Sequence, residues 1–377
     1  MIYDAIIIGA GINGCCSAYF LHQSALKVAL VDQTGIATGG SGAAGAFISP
    51  KISKAGELKE IMSQAHIEAL DFYTTHFPLQ TLTRALLHIA NTSQEGEKVA
   101  SFRGETTLEQ TLVPDEMAQL LCFSALQNES ICFTHGAVVD AQRVCSALAE
   151  GIDLYGFKVE EITHHDGVWH VGALRTKHLI LAIGAYPKLL PIDYVGLRGI
   201  WGHRIDIETS TNIPMILHHH VSISPTTKEG VVAIGATHDV HYSPLSGEVY
   251  DVEQGREILL EKASETLKLN NINILNDYTG LRSGSNDYLP MLGSLVNAQE
   301  TLERYPHLRH GEKVDPSHYS YYPNLTMING SGGYGFVLAP YLAKRLKEFI
   351  VEGVSIDPIL SPSRFFPRWA KRQKNQS

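Results

Sequence analysis

Two sets of residues in this chain have types and spacing that could do chemistry, and they lie far apart. The first centres on Arg282, set between glycines in "TGLRSGSNDYLPMLG", residues 279–293. A guanidinium fixed on a short glycine-flanked segment presents a rigid fork of donors. Such a fork holds a carboxylate through two parallel hydrogen bonds. Arg282 is therefore expected to clamp a substrate carboxylate. The second set opens the chain: "YDAIIIGAGINGCCSAYFLHQSALKVALVD".

In that run Gly9, Gly11 and Gly14 follow a buried strand predicted at Tyr3–Ile8 and lead into a helix. A second strand, Lys27–Val31, ends in Asp32, eighteen residues past Gly14. Gly9 suits a tight turn, Gly11 a close approach to a pyrophosphate, and Gly14 close helix–strand packing. The helix start offers free N–H groups and the positive end of its dipole to phosphates. Asp32 is placed to accept hydrogen bonds from ribose hydroxyls.

This motif alone does not separate a nicotinamide from a flavin dinucleotide. Three later segments favour FAD. "GIATGGSGAAGAFISP" (35–50), with Ser41, Gly42 and Ala43, is a long loop of small residues after the acidic strand. "KHLILAIGAY" (177–186) is a buried strand that returns Ala182 and Gly184 to the dinucleotide. "LTMINGSGGYGFVLAPYLAKRL" (325–346) repeats strand, glycine loop and helix, with Gly330, Gly332, Gly333, Tyr334 and Gly335 in the loop. Its helix start would face the flavin edge that becomes negative on reduction. Ile12, Asn13, Gln33, Val159 and Arg282 complete the expected cofactor contacts. Tyr334 and Tyr242 join Arg282 as candidate catalytic residues, and His238 is a candidate for the substrate side.

These segments need a scaffold. With 377 residues, 44% hydrophobic and 18% charged, the chain suits two structural units with a substantial core. The expected class is α/β: a discontinuous, Rossmann-like FAD-binding domain of glutathione-reductase type (1–75, 136–200 and 276–345). An α+β substrate domain on an antiparallel sheet fills 76–135 and 201–275. Within it "PDEMAQLLCF" reads as one helix and "DVEQGREILLEKASETLKL" as an amphipathic one. A basic tail covers 346–377.

The net charge of −9 argues against a wholly basic nucleic-acid binder but allows local patches. The end, "SRFFPRWAKRQKNQS", holds Arg364, Arg368, Lys371, Arg372 and Lys374 and no acid. It reads either as a solvated tail or as a phosphate contact anchored by Phe365, Phe366 and Trp369. Five cysteines without metal spacing suit reduced thiols. His218-His219-His220 would alternate faces on a strand, so no metal is expected. The apolar start lacks a basic flank and contains Asp4, and no apolar run reaches membrane-spanning length. A cytoplasmic, non-membrane protein is expected.

Several stretches carry a family likeness: "SGAAGAFISPKISK", "GLRSGSNDYLPMLG", and "ETLERYPHLRHG" followed by "YYPNLTMINGSGG". Over residues 3–372 the chain resembles the D-amino-acid oxidase/glycine oxidase family of FAD enzymes. Within it, the chain is most similar to the oxidoreductase module of the bifunctional enzymes that modify the tRNA wobble uridine. The resemblance implies that Arg282 holds the carboxylate of an N-alkylglycine. It also implies removal of the carboxymethyl group from 5-carboxymethylaminomethyl uridine, leaving 5-aminomethyl uridine and glyoxylate. Non-covalent FAD and a tRNA partner follow. Nothing precedes the strand at Tyr3, so a separate methyltransferase is expected to act on the product. Ala43-Ala44-Gly45 stands where that module usually has polar residues, and Asn286 where it is often basic. Two other readings remain: an oxidase of glycine, sarcosine or D-amino acids, and a non-enzymatic, flavin-bearing tRNA-binding protein.

Overall fold

The computed structural model describes residues 1–53, 56–186, 189–243 and 246–375, with no side-chain description for Lys374 and Asn375. Two sheets organise it. The first runs Met291–Val296, Tyr321–Asn329, Leu174–Leu181, Tyr3–Ile8, Val28–Asp32, Asp153–Gly156. All neighbours are parallel except the Met291–Val296 edge. Parallel strands covered on both faces read as continuous apolar runs, which is why "YDAIII" carries no polar alternation after Asp4. Its side chains still alternate from Ala5 on: Ala5 and Ile7 join one core, and Ile6 and Ile8 the other. The first core holds helices Ile12–Gln23, Ala141–Leu148 and Gly335–Lys347. The second takes the hairpin Ile162–His165/Val168–Val171 and the C-terminal segment.

The second sheet runs Asn273–Ser285, Leu197–Glu208, Val231–Gly235, Ser222–Ile223, Ile216–His218, Thr81–Ile89, Ser130–Val139, Phe47–Ile48. It is antiparallel apart from the pair Ile216–His218 and Thr81–Ile89. Ile205, Ile207, Val232 and Ile234 point to one face, where helix Val252–Ser264 covers them with Leu259 and Ala263. On the other face Gly202, Gly235 and Gly280 leave room for a cavity. The α/β class, with a Rossmann-like unit and an antiparallel substrate sheet, is as expected.

The boundaries differ from the expectation. Strand Asn273–Ser285, assigned to the nucleotide domain from residue 276, is the edge of the second sheet and pairs along Leu197–Glu208. Phe47–Ile48 and residues 136–139, also assigned to the nucleotide domain, belong to that sheet as well. Long-range pairing decides these memberships, and local periodicity does not record it. "PDEMAQLLCF" forms two short helices, Asp115–Leu120 and Phe123–Leu126. The Cys122 N–H turns to Thr266 O instead of continuing the first helix.

The tail is folded, not a solvated strand of chain. Phe366 is fully buried against Tyr194 and Tyr319, at ring distances of 5.5 and 5.1 Å. Arg364 binds Asp287 bidentately at 2.8 and 3.1 Å. Arg368, Lys371 and Arg372 are exposed, and the Lys374 side chain lies outside the described residues. All five cysteines are free thiols.

Candidate active site

The carboxyl ends of the first sheet's central strands open onto a cavity of about 440 Å³, shared with the small-residue face of the second sheet. Ligands of α/β folds bind at this end of the strands. Gly9 has φ +105°, and the neighbouring Ala182 carbonyl occupies the space a Cβ would take. A Cβ at Gly14 would collide with the Gly9 carbonyl oxygen. Asp32 folds its carboxylate under the turn, accepting from Ala10 N–H at 2.9 Å, Thr34 N–H at 2.9 Å and Gly35 N–H at 3.1 Å. Those bonds leave acceptor lone pairs on Asp32 for hydroxyls.

Two helix starts converge on this space. Ile12 N–H donates to Ser41 Oγ at 2.9 Å, which ties the 35–50 loop to the first helix. Asn13 Nδ2 donates to Ser331 Oγ at 3.2 Å, which joins that helix start to the last glycine loop. Arg204 Nη1 donates to Ala44 O at 2.6 Å, so the 35–50 loop is also fastened to the second sheet. Asn329 is a node that sequence reading missed. It donates to Gly184 O at 2.9 Å and accepts from Ser283 Oγ at 2.9 Å and Gly330 N–H at 2.8 Å. It thus links three segments that border the cavity. Its only sequence signal was a polar residue ending a buried strand.

Arg282 enters from the sheet edge. Its strand pairs with Leu197–Glu208, with Arg282 opposite Ile200. Nη2 donates to Trp201 O at 3.3 Å and to Thr237 O. Nε is buried without an acceptor. The guanidinium lies over Gly202, where a Cβ would sit 2.6 Å from Nη2, so this position needs glycine. Burial pulls the Arg282 pKa below the usual arginine value. No carboxylate pairs with it among the described residues. An unpaired buried cation is costly, so this guanidinium suits an incoming anion. Gly333, in the last glycine loop, is 3.8 Å from Nη1 when a Cβ is built on it.

Fourteen of the expected residues line the cavity: Gly9, Gly11, Ile12, Asn13, Asp32, Ser41, Ala43, Ala182, Gly184, Arg282, Gly332, Gly333, Tyr334 and Gly335. Gly14, Gly42 and Gly330 lie behind its wall, each too close to a neighbouring atom for a side chain. Gln33 is exposed outside the cavity, and Val159 packs against the second core. Tyr242 also lies outside the lining. Asp239 accepts from the His241 and Tyr242 amides, and this turn carries the tyrosine away to donate to Glu248 O at 2.9 Å. His238 is likewise absent from the lining. Tyr334 is a wall residue whose hydroxyl burial pushes up to about 12, so it stays protonated at neutral pH.

The far wall holds a histidine group that strand alternation did not foresee. The strand stops at His218 and the chain turns, so His218 and His219 both line the cavity, with His88 beside them. His218 Nδ1 meets Ser222 Oγ at 2.6 Å, and His219 Nδ1 meets Thr266 Oγ1 at 2.8 Å. Burial pulls His218 down to about 3, and His88 and His219 to about 4. An unfolded histidine titrates near 6.5. The unfolded chain therefore takes up protons that the folded chain refuses below that pH. Stability from these groups is complete above about pH 6.5 and falls as the pH drops toward about 4. The thermal midpoint, measured at constant ionic strength, is expected to decline by several degrees across that window. A flat profile would mean that these imidazoles accept protons in the fold.

Residues 4–349 match the family model described as DAO, FAD dependent oxidoreductase. The chain belongs to that family. Among its relatives is the tRNA 5-methylaminomethyl-2-thiouridine biosynthesis bifunctional protein MnmC of Legionella pneumophila (strain Corby). It is 24% identical, over 96% of this chain and 57% of the relative. The MnmC of Campylobacter fetus is 21% identical, over 98% and 60%. The chain thus spans less than two thirds of these relatives' length. Similar solved structures include glycine oxidase from Geobacillus kaustophilus, with TM-score 0.73, 17% identity and coverage of 96% and 98%. Another is the L-alpha-glycerophosphate oxidase of Mycoplasma pneumoniae with FAD bound, with TM-score 0.74, 16% identity and coverage of 96% and 98%. This DAO-family chain is an FAD-dependent oxidoreductase. Its cradle fits that cofactor: side-chain-free backbone at Gly9 and Gly14, Asp32 under the turn, and two helix starts at one cavity.

Proposed function

We propose that the chain oxidises the glycine unit of 5-carboxymethylaminomethyl uridine at the tRNA wobble position. The products are the 5-aminomethyl uridine and glyoxylate. The observation that carries this reading is Arg282: a partly buried guanidinium, pinned by two backbone carbonyls, with buried Nε unpartnered and no carboxylate beside it among the described residues. It suits a carboxylate as substrate handle. The names of the MnmC relatives direct the reading to modified tRNA.

FAD supplies the two-electron acceptor for oxidation of the Cα–N bond. The protein's part is positional and electrostatic. Arg282 would orient the carboxylate in the cavity it shares with the last glycine loop. Gly202 gives the guanidinium its space. The neutral Tyr334 hydroxyl offers a hydrogen bond without taking a proton. Loss of a hydride from the α-carbon and a proton from nitrogen gives an imine, and water splits it into amine and glyoxylate. On this reading the protein works in the cytoplasm. None of the described helices is long and apolar enough to cross a membrane.

The fold shared with glycine oxidases supports a second reading, an oxidase of small amines such as glycine or sarcosine. The test is incubation with tRNA carrying the carboxymethylaminomethyl group, followed by assay of glyoxylate and of the digested nucleosides. Appearance of both products is expected. Their absence, together with peroxide release from free glycine or sarcosine, would favour the second reading. Bound FAD that no amine reduces would leave a flavin-bearing tRNA-binding protein.

A further inference from the structure

The mouth of the cavity carries a feature that oxidation of a glycine unit does not use. The strand bearing Arg282 ends at Ser285, and the chain turns through Asp287 to Tyr288. Tyr288 is 63% exposed and holds φ +66°. Left-handed backbone is unfavourable for a residue with a Cβ, and an exposed ring gains little from burial. Neither property helps the fold.

One cation lies over this ring and a second over the cavity-wall ring of Tyr334. The Arg198 guanidinium lies 4.4 Å over the Tyr288 ring, with Nε buried and unpartnered. Lys51 follows the lining residues Ser49 and Pro50, and its Nζ lies 4.8 Å over the ring of Tyr334. A hydrogen bond and the charge of Arg198, and more weakly the charge of Lys51, pull the Tyr288 phenol below its usual value. The acid of the turn, Asp287, is already bound by Arg364 at 2.8 and 3.1 Å. Neither Lys51 nor Arg198 has a carboxylate partner among the described residues. Two unbalanced cations, one of them over an exposed ring, stand out on a chain of net charge −9.

Resting on the tRNA reading, we propose that Tyr288, Arg198 and Lys51 form a docking platform for single-stranded RNA at the cavity mouth. The Tyr288 ring stacks on a base next to the nucleotide whose side group reaches Arg282, and the two cations hold flanking phosphates. Single-strand sites combine these elements: aromatic platforms for bases and cations for the backbone. A free amino acid, held at Arg282, would not reach them.

The test uses the FAD-loaded protein and an unmodified anticodon stem-loop hairpin, with affinity read by fluorescence anisotropy at several salt concentrations. Tyr288→Gly is expected to weaken binding roughly tenfold. Its thermal midpoint is expected to stay unchanged or rise, since glycine accepts this backbone freely. A merely structural tyrosine would lower the midpoint instead. Tyr288→Phe keeps the stacking face and is expected to bind within about twofold of the parent. Lys51→Gln with Arg198→Gln is expected to reduce the salt slope by about 1.4, or about 0.7 per lost phosphate contact. If Tyr288→Gly and the double variant bind like the parent, the platform is wrong while the tRNA reading stands. A parent protein that binds no hairpin would overturn both.

Discussion

Arg282→Ala is expected to lower kcat/KM by on the order of 10²- to 10³-fold, mostly through KM, while the protein keeps its flavin. Removing one partner of a buried, charge-assisted contact typically costs about 2–5 kcal/mol, and about 1.4 kcal/mol corresponds to tenfold. The flavin is expected to stay, because the glycine turns and Asp32, which would hold the dinucleotide, do not depend on this side chain. Stability should change little. Arg282 is a largely desolvated cation with no counter-ion among the described residues, so its removal relieves desolvation as well as losing the bonds to Trp201 and Thr237. Arg282→Lys should not restore activity, because an ammonium cannot reproduce the planar fork. Steady-state kinetics with flavin quantified by absorbance decides the matter. Unchanged turnover in Arg282→Ala would remove the carboxylate clamp from the account.

The second large effect is at Gly14. A single methyl there would fall on the Gly9 carbonyl oxygen, which is backbone and cannot rotate away. Helix Ile12–Gln23 would have to lift from strand Tyr3–Ile8, although Cys15, Cys16 and Leu21 are fully buried on that helix. Gly14→Ala should therefore cost more than about 4 kcal/mol, the range of severe core disruption. It should also yield protein with little or no bound FAD, since the displaced helix start no longer meets the phosphates. Gly104→Ala, on helix Ser93–Glu105 and away from the cavity lining, is the matched control: nothing lies within 4 Å of its Cβ. Flavin content and denaturant midpoints of the two variants test this. A Gly14→Ala protein that is yellow and stable would show that the helix does not dock as described.

Some of this was readable in the sequence because the signal was local. Gly9 to Gly14 with the flanking apolar runs is contiguous, and strand, turn and helix follow from spacing alone. Arg282 stood out by its glycine neighbours and its own chemistry. Other features depend on pairing between distant segments, which periodicity does not encode. Lys51 meets Tyr334 only through the fold. His88 meets His218 because Ile216–His218 adds in parallel to Thr81–Ile89. Tyr242 looked like a cavity residue because it follows strand Val231–Gly235, but Asp239 captures its amide and turns the chain outward. The basic tail looked free because its partner, Asp287, lies 77 positions away in the chain. Lys51, His88 and Arg364 meet partners far away in sequence, whereas Tyr242 is turned by a local bond that strand periodicity does not reveal.

The flavin of this chain is expected to be reduced by a glycine unit carried on tRNA. Anaerobic mixing of the FAD-loaded protein with carboxymethylaminomethyl-modified tRNA, in a single turnover, tests it most directly. The predicted result is bleaching of the visible flavin band with one glyoxylate formed per flavin reduced, and no bleaching with tRNA lacking the group. A flavin that stays oxidised with the modified tRNA but is bleached by free glycine or sarcosine would contradict it.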